Sequence, residues 1–184
     1  MRPAGRGPLD SLYFDYPTYA CPAAPELAGG GRRCQVVIVG AGPVGLAAAL
    51  TLARHGVASV LLERKNTVND GSRAICIARD SIRILERAGA AAPFLAKSLG
   101  WREGRSFYRG REVYAFAMPH GDHDKHLPMY NLQQQYIEQF LIEAAQREPL
   151  IDLRWKSEVR GLTQDVDGVL IDVASPDGAY GLEA

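Results

Sequence analysis

The sequence of 184 residues has no excess charge of either sign, because 21 Lys and Arg side chains balance 21 Asp and Glu side chains. A surface without a net field does not attract phosphate polymers or anionic lipid, so the composition supports neither a nucleic-acid-binding nor a membrane-surface protein. Cysteine is scarce, and its three residues form neither a CxxC pair nor a disulfide framework. We therefore expect reduced thiols and a cytoplasmic protein.

Several kinds of catalytic machinery are also missing. The sequence contains no GxSxG segment, no pair of catalytic carboxylates and no Cys–His arrangement, so hydrolysis has no visible machinery and no catalytic side chain can be named. The segment HGDHDKH, residues 120–126, carries three histidines. Pro119, Gly121 and Pro128 predict a loop there, and nothing in it would fix the imidazoles as metal ligands. We expect no metal site.

The first 33 residues lack the composition of a packed domain. They are rich in proline and glycine, at about the fraction that marks irregular sequence. Acidic residues interrupt any apolar stretch that could serve as a secretory signal. We predict an irregular N-terminal arm over residues 1–33 and one domain over residues 34–184. The aromatic stretch SLYFDYPTYACP leaves two alternatives open, an arm that lies on the domain surface and a disordered tail.

One long uncharged run, residues 36–53, is present. It is long enough to resemble a membrane span, but its glycines and its proline would break such a helix near the middle. The β-branched residues 36–39 instead predict a buried strand. Residues 43–55 are strong helix formers that end before Gly56, a typical C-terminal cap, and residues 58–62 predict a second strand. The order strand, helix, strand predicts a βαβ unit.

The turn before the predicted helix has the sequence GAGPVG, which predicts a phosphate-binding site. Gly40 permits the tight turn, Gly42 lets the backbone approach a pyrophosphate, and Gly45 allows close packing of helix on strand. Pro43 suits the first helical turn, whose N–H groups favour an anion. Glu63 follows Gly40 by 23 residues, where a carboxylate accepts ribose hydroxyls and repels a 2′-phosphate. The residues predict an adenine dinucleotide and leave NAD and FAD open.

The remaining patterns predict an α/β fold, with a Rossmann-like βαβ unit, a mainly parallel sheet and a β-hairpin or antiparallel extension. Helical periodicity is present over residues 80–88 and 134–147. The predicted hairpin covers residues 106–116, and short strands are predicted at 151–155, 159–162 and 169–174.

Three segments in order resemble the N-terminal part of the class A flavoprotein monooxygenases, aromatic hydroxylases similar to 3-(3-hydroxyphenyl)propionate and phenol hydroxylases. They are VVIVGAGPVGLAAALTLARHGVASVLLER, GSRAICIARDSIRILERAG and YNLQQQYIEQFLIEAA. The resemblance covers residues 34–184 and implies that the dinucleotide is FAD. It also implies NAD(P)H as a transient reductant and hydroxylation of a small aromatic substrate with O2, a reaction whose chemistry the flavin supplies.

That family continues into a further flavin-contacting motif and a substrate domain. We therefore expect this chain to be the N-terminal portion of an FAD-binding domain without its substrate domain, to bind FAD weakly or not at all, and to be inactive alone. Two alternatives stay open, an NAD-linked dehydrogenase and a non-catalytic dinucleotide-binding fragment.

The resemblance also implies FAD contacts residue by residue. Arg64 would flank the adenine or ribose, and Gln134 would touch the ribityl chain. Arg73 would reach the FAD phosphates and ribityl region, as suits a planar, always charged guanidinium. The backbone of Val159 would meet the adenine edge. Each of three residues has an alternative interpretation. Arg64 could be a solvated arginine, Arg73 could form a surface salt bridge, and Val159 could be an ordinary strand valine. The full predicted set is Gly40, Gly42, Pro43, Val44, Gly45, Glu63, Arg64, Arg73, Gln134 and Val159.

Overall fold

The computed structural model describes residues 14–30, 33–71 and 74–184. Its helices are α1 (Pro43–Arg54), α2 (Arg79–Arg87), α3 (Ala91–Lys97) and α4 (Gln134–Gln146), with a 3-10 helix at Pro25–Ala28. Its strands are β1 (Val37–Val39), β2 (Ser59–Leu62), β3 (Cys76–Ala78), β4 (Leu99–Trp101), β5 (Glu103–Tyr108), β6 (Arg111–Ala117), β7 (Met129–Asn131), β8 (Ile151–Arg154), β9 (Glu158–Gln164), β10 (Val169–Ser175) and β11 (Gly178–Glu183).

A parallel sheet in the order β1-β2-β8 carries the predicted βαβ unit. Helix α1 connects β1 to β2, and Val39 at the end of β1 pairs with Leu62. All four residues of the central strand β2 are buried, as expected for an apolar strand that is covered on both faces. The βαβ prediction is confirmed. No helix within the described ranges is both long enough and apolar enough to cross a membrane.

The alternating side chains of β2 enter two different cores. Leu61 packs into the larger core, which includes Leu46 and Leu50 of α1 and Leu141 of α4. Its neighbour Leu62 packs into the smaller core with β10 and β11. This division follows from the two-residue period of a strand, whose successive side chains point to opposite faces. Helices therefore cover one face of the sheet, and the antiparallel strands cover the other.

Antiparallel pairing is more extensive than the sequence predicted. In the part of the chain that the structure describes, eight of the eleven strands lie in antiparallel sheets of order β11-β10-β9, β3-β7-β4 and β5-β6. The predicted hairpin is confirmed as β5 and β6, and its turn residues Arg109 and Gly110 have φ values of 48° and 77°. Positive φ at both positions is what a two-residue hairpin turn needs.

Residues 14–30, which we call the N-terminal strap, lie against the domain. Phe14 is 7% exposed and belongs to the larger core. The ring of Tyr19 stacks on Trp155, with centroids 4.5 Å apart. Glu26 forms an ion pair with Arg154 at 2.8 Å. Of the two alternatives for the arm, the surface-bound one therefore holds for these residues.

Candidate functional site

Two glycines shape the turn between β1 and α1. Gly40 has a φ of +101°, a conformation that residues with a Cβ seldom adopt. Its N–H donates to the carbonyl of Leu62 at 2.7 Å, which ties the turn to β2. A Cβ on Gly45 would overlap the carbonyl oxygen of Gly40 and contact Ile38, so α1 approaches β1 only because residue 45 is glycine. The predicted roles of Gly40 in the turn and of Gly45 in packing are confirmed.

The start of α1 presents backbone donors to open space. Gly42 is the N-cap, without a side-chain cap hydrogen bond, and a Cβ built on it would meet nothing within 4 Å. Pro43 occupies the first helical position, as predicted, so Val44 and Gly45 supply the first N–H groups of the helix. The first turn contains no acidic residue. By helix geometry this end of α1 has N–H donors without an intrahelical partner and a partial positive charge, and both attract a phosphate.

The carboxylate of Glu63, just beyond the end of β2, faces this turn. Its Oε2 accepts the N–H of Ala41 at 2.9 Å, and its Oε1 accepts the N–H of Lys65 at 2.9 Å. Each carboxylate oxygen has a second lone pair, which leaves acceptor capacity for a hydroxyl group. Glu63 is thus aimed at the glycine turn, where an acid that holds a ribose must lie.

The turn and Glu63 border a polar cleft with a volume of about 230 Å³. Its lining residues are Ala41, Gly42, Glu63, Arg64, Lys65, Thr67, Asn69, Gln134 and Glu138. Ligand pockets generally measure about 300–1,000 Å³, so the cleft has room for only one part of a dinucleotide. Thr67 Oγ1 is buried and forms no hydrogen bond within the described ranges. Such an orphaned polar atom in a cleft wall suits a polar ligand.

Gln134 enters the cleft from the first position of α4, and a buried acid holds its side chain. Glu138, one turn further along, is 3% exposed. Its Oε1 accepts the Nε2 of Gln134 at 2.7 Å, and its Oε2 accepts the N–H of Asn69 at 2.6 Å. Glu138 therefore links α4 to the segment that follows Glu63, and both of these elements form walls of the cleft.

The cleft brings four of the ten predicted positions together. Gly42, Glu63, Arg64 and Gln134 all line the cleft, and Arg64 is exposed there. Val159 is not among the lining residues, since it lies on β9, pairs with Val173 and packs against the smaller core. Arg73 lies outside the described residues. The FAD contacts proposed for these positions stay predictions.

Sequence reasoning missed five residues of the cleft wall, namely Ala41, Lys65, Thr67, Asn69 and Glu138. For Glu138 a signal existed, because side chains four residues apart on a helix are neighbours and Gln134–Glu138 has this spacing. The other four residues contribute to the cleft through their backbone groups or through their position in a loop. The residue type at these positions does not indicate such a role.

The histidine-containing loop packs against α2. His126 is 5% exposed, and its Nε2 lies 2.9 Å from Glu86. Lys125 contacts the same carboxylate at 2.7 Å, and hydrogen bonds from Lys125 and then His126 lower the pKa of Glu86. Asp124 pairs with Arg79, and the N–H of Gly121 together with Arg79 lowers the pKa of Asp124. These charged groups hold the loop to α2.

Among the described residues, no group of three or more potential ligands is arranged for a metal ion.

Comparison with known families supports a nucleotide-binding role. A family profile described as "FAD binding domain" matches residues 33–181. The chain is 33% identical over 154 residues to a 3-(3-hydroxy-phenyl)propionate/3-hydroxycinnamic acid hydroxylase 2 of Burkholderia vietnamiensis, covering 83% of this chain and 28% of that protein. A similarly named hydroxylase of Klebsiella pneumoniae is 30% identical over 147 residues, with coverages of 80% and 26%. The chain thus spans about a quarter of these relatives' length.

Solved structures give the same picture of the fold. The p-nitrophenol 4-monooxygenase PnpA of Pseudomonas putida superposes with a TM-score of 0.76 at 25% identity, over 84% of this chain and 40% of that one. The flavin-dependent monooxygenase PieE, solved in complex with FAD and substrate, has a TM-score of 0.72 at 27% identity, with coverages of 83% and 29%.

Proposed function

Since this chain belongs to the FAD-binding domain family, we propose that the cleft between the glycine turn and Glu63 binds the adenosine diphosphate half of FAD. The observation that carries the proposal is the 2.9 Å hydrogen bond from Ala41 N–H to Glu63 Oε2. This bond places the glycine turn, which would bind the diphosphate, next to the acid that would bind the ribose. Adenosine diphosphate needs both groups close together because its ribose is attached directly to its diphosphate. The family match does not favour the NAD-linked dehydrogenase.

The residues present suit the diphosphate and the ribose of that half, and also the adjoining ribityl chain of FAD. The N–H groups of Val44 and Gly45 at the start of α1 would donate to the diphosphate. The carboxylate of Glu63 would accept the ribose hydroxyls. Gln134, whose Nε2 is engaged by Glu138, would turn its carbonyl oxygen to the ribityl hydroxyls. Arg64, Arg73 and the backbone of Val159 are proposed as further contacts.

We propose that the protein to which this domain belongs hydroxylates a small aromatic substrate, with NAD(P)H as transient reductant. Two relatives named as hydroxylases of 3-(3-hydroxy-phenyl)propionate support this. Bound FAD supplies the redox and oxygen chemistry of such enzymes. Within this chain the side chains bind and orient the cofactor. Helix α1 supplies fixed donors, and Glu63 and Glu138 supply acceptors held by backbone N–H groups.

The test is a titration of the chain with FAD, and in parallel with NAD, followed by the backbone amide NMR signals of the turn and by flavin fluorescence. We expect weak FAD binding that shifts the signals of residues 40–45, and a smaller response to NAD. The variant Gly42→Asp places a carboxylate against the diphosphate and should abolish the response. Its fold should persist, because a Cβ at residue 42 meets nothing within 4 Å and aspartate is a good N-cap.

Unchanged amide signals and unchanged fluorescence in the wild-type chain up to millimolar FAD would refute the proposal. An equal response of Gly42→Asp would show that FAD binds elsewhere.

A further inference from the structure

The N-terminal strap precedes residues 33–181, which match the family profile, yet it contacts elements that form the cleft. The ring of Phe14 lies edge-on to Tyr136, with centroids 4.9 Å apart, two positions after Gln134 on α4. The hydroxyl of Tyr16 accepts the N–H of Gly71 at 3.4 Å. The strap, which lies outside the part of the chain that matches the family profile, therefore adds contacts behind the proposed cofactor site.

Tyr19 makes the most direct of these contacts. Its ring stacks on Trp155 with an interplanar angle of 8°, and its N–H donates to the carbonyl of Asn66 at 2.8 Å. Burial, followed by the nearby charges of Glu143 and Glu138, raises the pKa of Tyr19 to about 12. One residue thus touches both the segment after β8 and the loop that follows Glu63.

Residues 154–157, at the end of β8 and just after it, bond to the backbone N–H and carbonyl of Glu63. The N–H of Glu63 donates to the carbonyl of Arg154 at 2.9 Å, and the carbonyl of Glu63 accepts the N–H of Ser157 at 2.9 Å. The carbonyl of Lys65 accepts the N–H of Lys156 at 3.0 Å. Trp155, on which Tyr19 stacks, lies in the middle of this segment. A shift of Trp155 would displace the neighbouring backbone groups that bond to Glu63 and Lys65.

A second anchor holds the strap to the same segment. Both oxygens of the Glu26 carboxylate accept hydrogen bonds from the Arg154 guanidinium, at 2.8 and 3.2 Å. The two side chains are only 8% and 10% exposed, and a two-point contact of this kind has a defined geometry. Tyr19 and Glu26 thus hold Trp155 and Arg154, which are adjacent in the chain.

We propose that Tyr19 is a positioning residue for the adenosine end of the FAD site, acting on Glu63 through Trp155 and Asn66. This inference rests on the proposed function. A carboxylate that must meet ribose hydroxyls has to be held within about 0.5 Å of the productive position. Stacking and the Asn66 hydrogen bond supply that restraint from behind the site. By linkage, ligand binding stabilises the docked strap as much as the docked strap strengthens binding.

The experiment measures the affinity of the full chain for ADP, a probe that contains the diphosphate and ribose but no flavin. Tyr19→Ala removes the stacking on Trp155 and should weaken ADP binding about 3- to 30-fold, the range for coupling through packed side chains. Tyr19→Phe keeps the ring and should retain wild-type affinity. Leu27→Ala is the matched control, since Leu27 belongs to the strap but packs into the smaller core near β11. It should lower the thermal midpoint without changing the affinity for ADP.

Hydrogen exchange of the wild-type chain gives a second measurement that needs no variant. Saturation with ADP should slow exchange at the amide of Tyr19 together with that of Lys65, whose N–H bonds to Glu63. Equal ADP affinity in Tyr19→Ala and the wild type, equal weakening by Leu27→Ala, or unchanged exchange at Tyr19 would overturn the inference alone. If the wild-type chain bound neither ADP nor FAD, the proposed function would fail and the inference with it.

Discussion

The carboxylate of Glu63 bonds to Ala41, 22 residues earlier in the chain, at 2.9 Å. Parallel pairing of β1 with β2 makes this contact possible, because it brings the carboxyl ends of both strands to one edge of the sheet. The pairing of the two strands therefore brings the acid and the glycine turn together.

Replacement of Glu63 by Gln should weaken ADP and FAD binding about 10- to 100-fold, because hydrogen bonds to a charged group contribute about 1.5–3 kcal/mol. It should also reduce the preference for ADP over 2′,5′-ADP, since the charge that repels a 2′-phosphate is removed. Isothermal titration with both nucleotides measures the two effects. The control is Glu183→Gln, at an exposed position of β11. Wild-type selectivity in Glu63→Gln would contradict contact between Glu63 and the ribose.

The two glycines at residues 42 and 45 should respond differently to a methyl group. Gly45→Ala forces a Cβ into the carbonyl of Gly40, and overpacking of this kind costs about 1–3 kcal/mol. Gly42→Ala adds the same atom to open space and should cost only about 0.5–1 kcal/mol, the preference of an N-cap for glycine over alanine. Urea denaturation of both variants provides the comparison. Equal free energies of unfolding would contradict the close approach of α1 to β1.

Helix α4 contains two Gln–Glu pairs with the same spacing, which form a matched test. Glu138 is buried and bonds to Gln134 and Asn69, whereas Glu143 bonds to Gln139 at 3.0 Å and is partly exposed. Glu138→Gln turns an NH2 group toward either Gln134 Nε2 or Asn69 N–H, both of which are donors. This should lower the free energy of unfolding by about 1–3 kcal/mol and weaken FAD binding. Glu143→Gln should cost less than about 0.5 kcal/mol. Similar losses in both variants would contradict a special role for Glu138.

The charged contacts between α2 and the loop at residues 120–126 predict a pH dependence. Hydrogen bonds from Lys125 and His126 lower the pKa of Glu86 from its usual 4.5. This contribution is present above about pH 4.5 and is lost as the pH falls through the lower pKa of the folded state. The free energy of unfolding should therefore decrease on acidification below that pH, and less steeply in Glu86→Gln. Denaturation at a series of pH values measures the slope, and identical slopes in both proteins would refute the assignment.

Local patterns predicted the elements near the glycine turn well. Helix α1 was expected at residues 43–55 and spans Pro43–Arg54, and α4 was expected at 134–147 and spans Gln134–Gln146. Gly56 has the expected left-handed φ of 74°, and the N–H of Val57 closes the cap on Leu52. Helices of 12 and 13 residues that are rich in strong helix formers carry their own periodic signal.

Other elements were not predicted. The strands β3, β4 and β7 have three residues each, and β3 pairs with β7 across more than 50 residues, with Cys76 opposite Asn131. Segments this short show no periodicity, and their hydrogen-bond partners are distant in sequence. The helix α3 has only seven residues, too few to show a helical period. The buried position of Glu138 depends equally on distant contacts.

The sequence by itself determined the shape of the turn, because residues with a Cβ seldom adopt the φ of +101° at residue 40, and only glycine lacks the Cβ that would clash at residue 45. Tertiary structure decided which groups complete the cleft, since the contacts of Glu63 with Ala41, of Glu138 with Asn69 and of Tyr19 with Trp155 join segments that only folding brings together. Residue types and their spacing indicate the local conformation that each segment of backbone prefers. Long-range packing orients a carboxylate or docks the N-terminal strap. It depends on segments that are distant in the sequence and meet only in the folded chain.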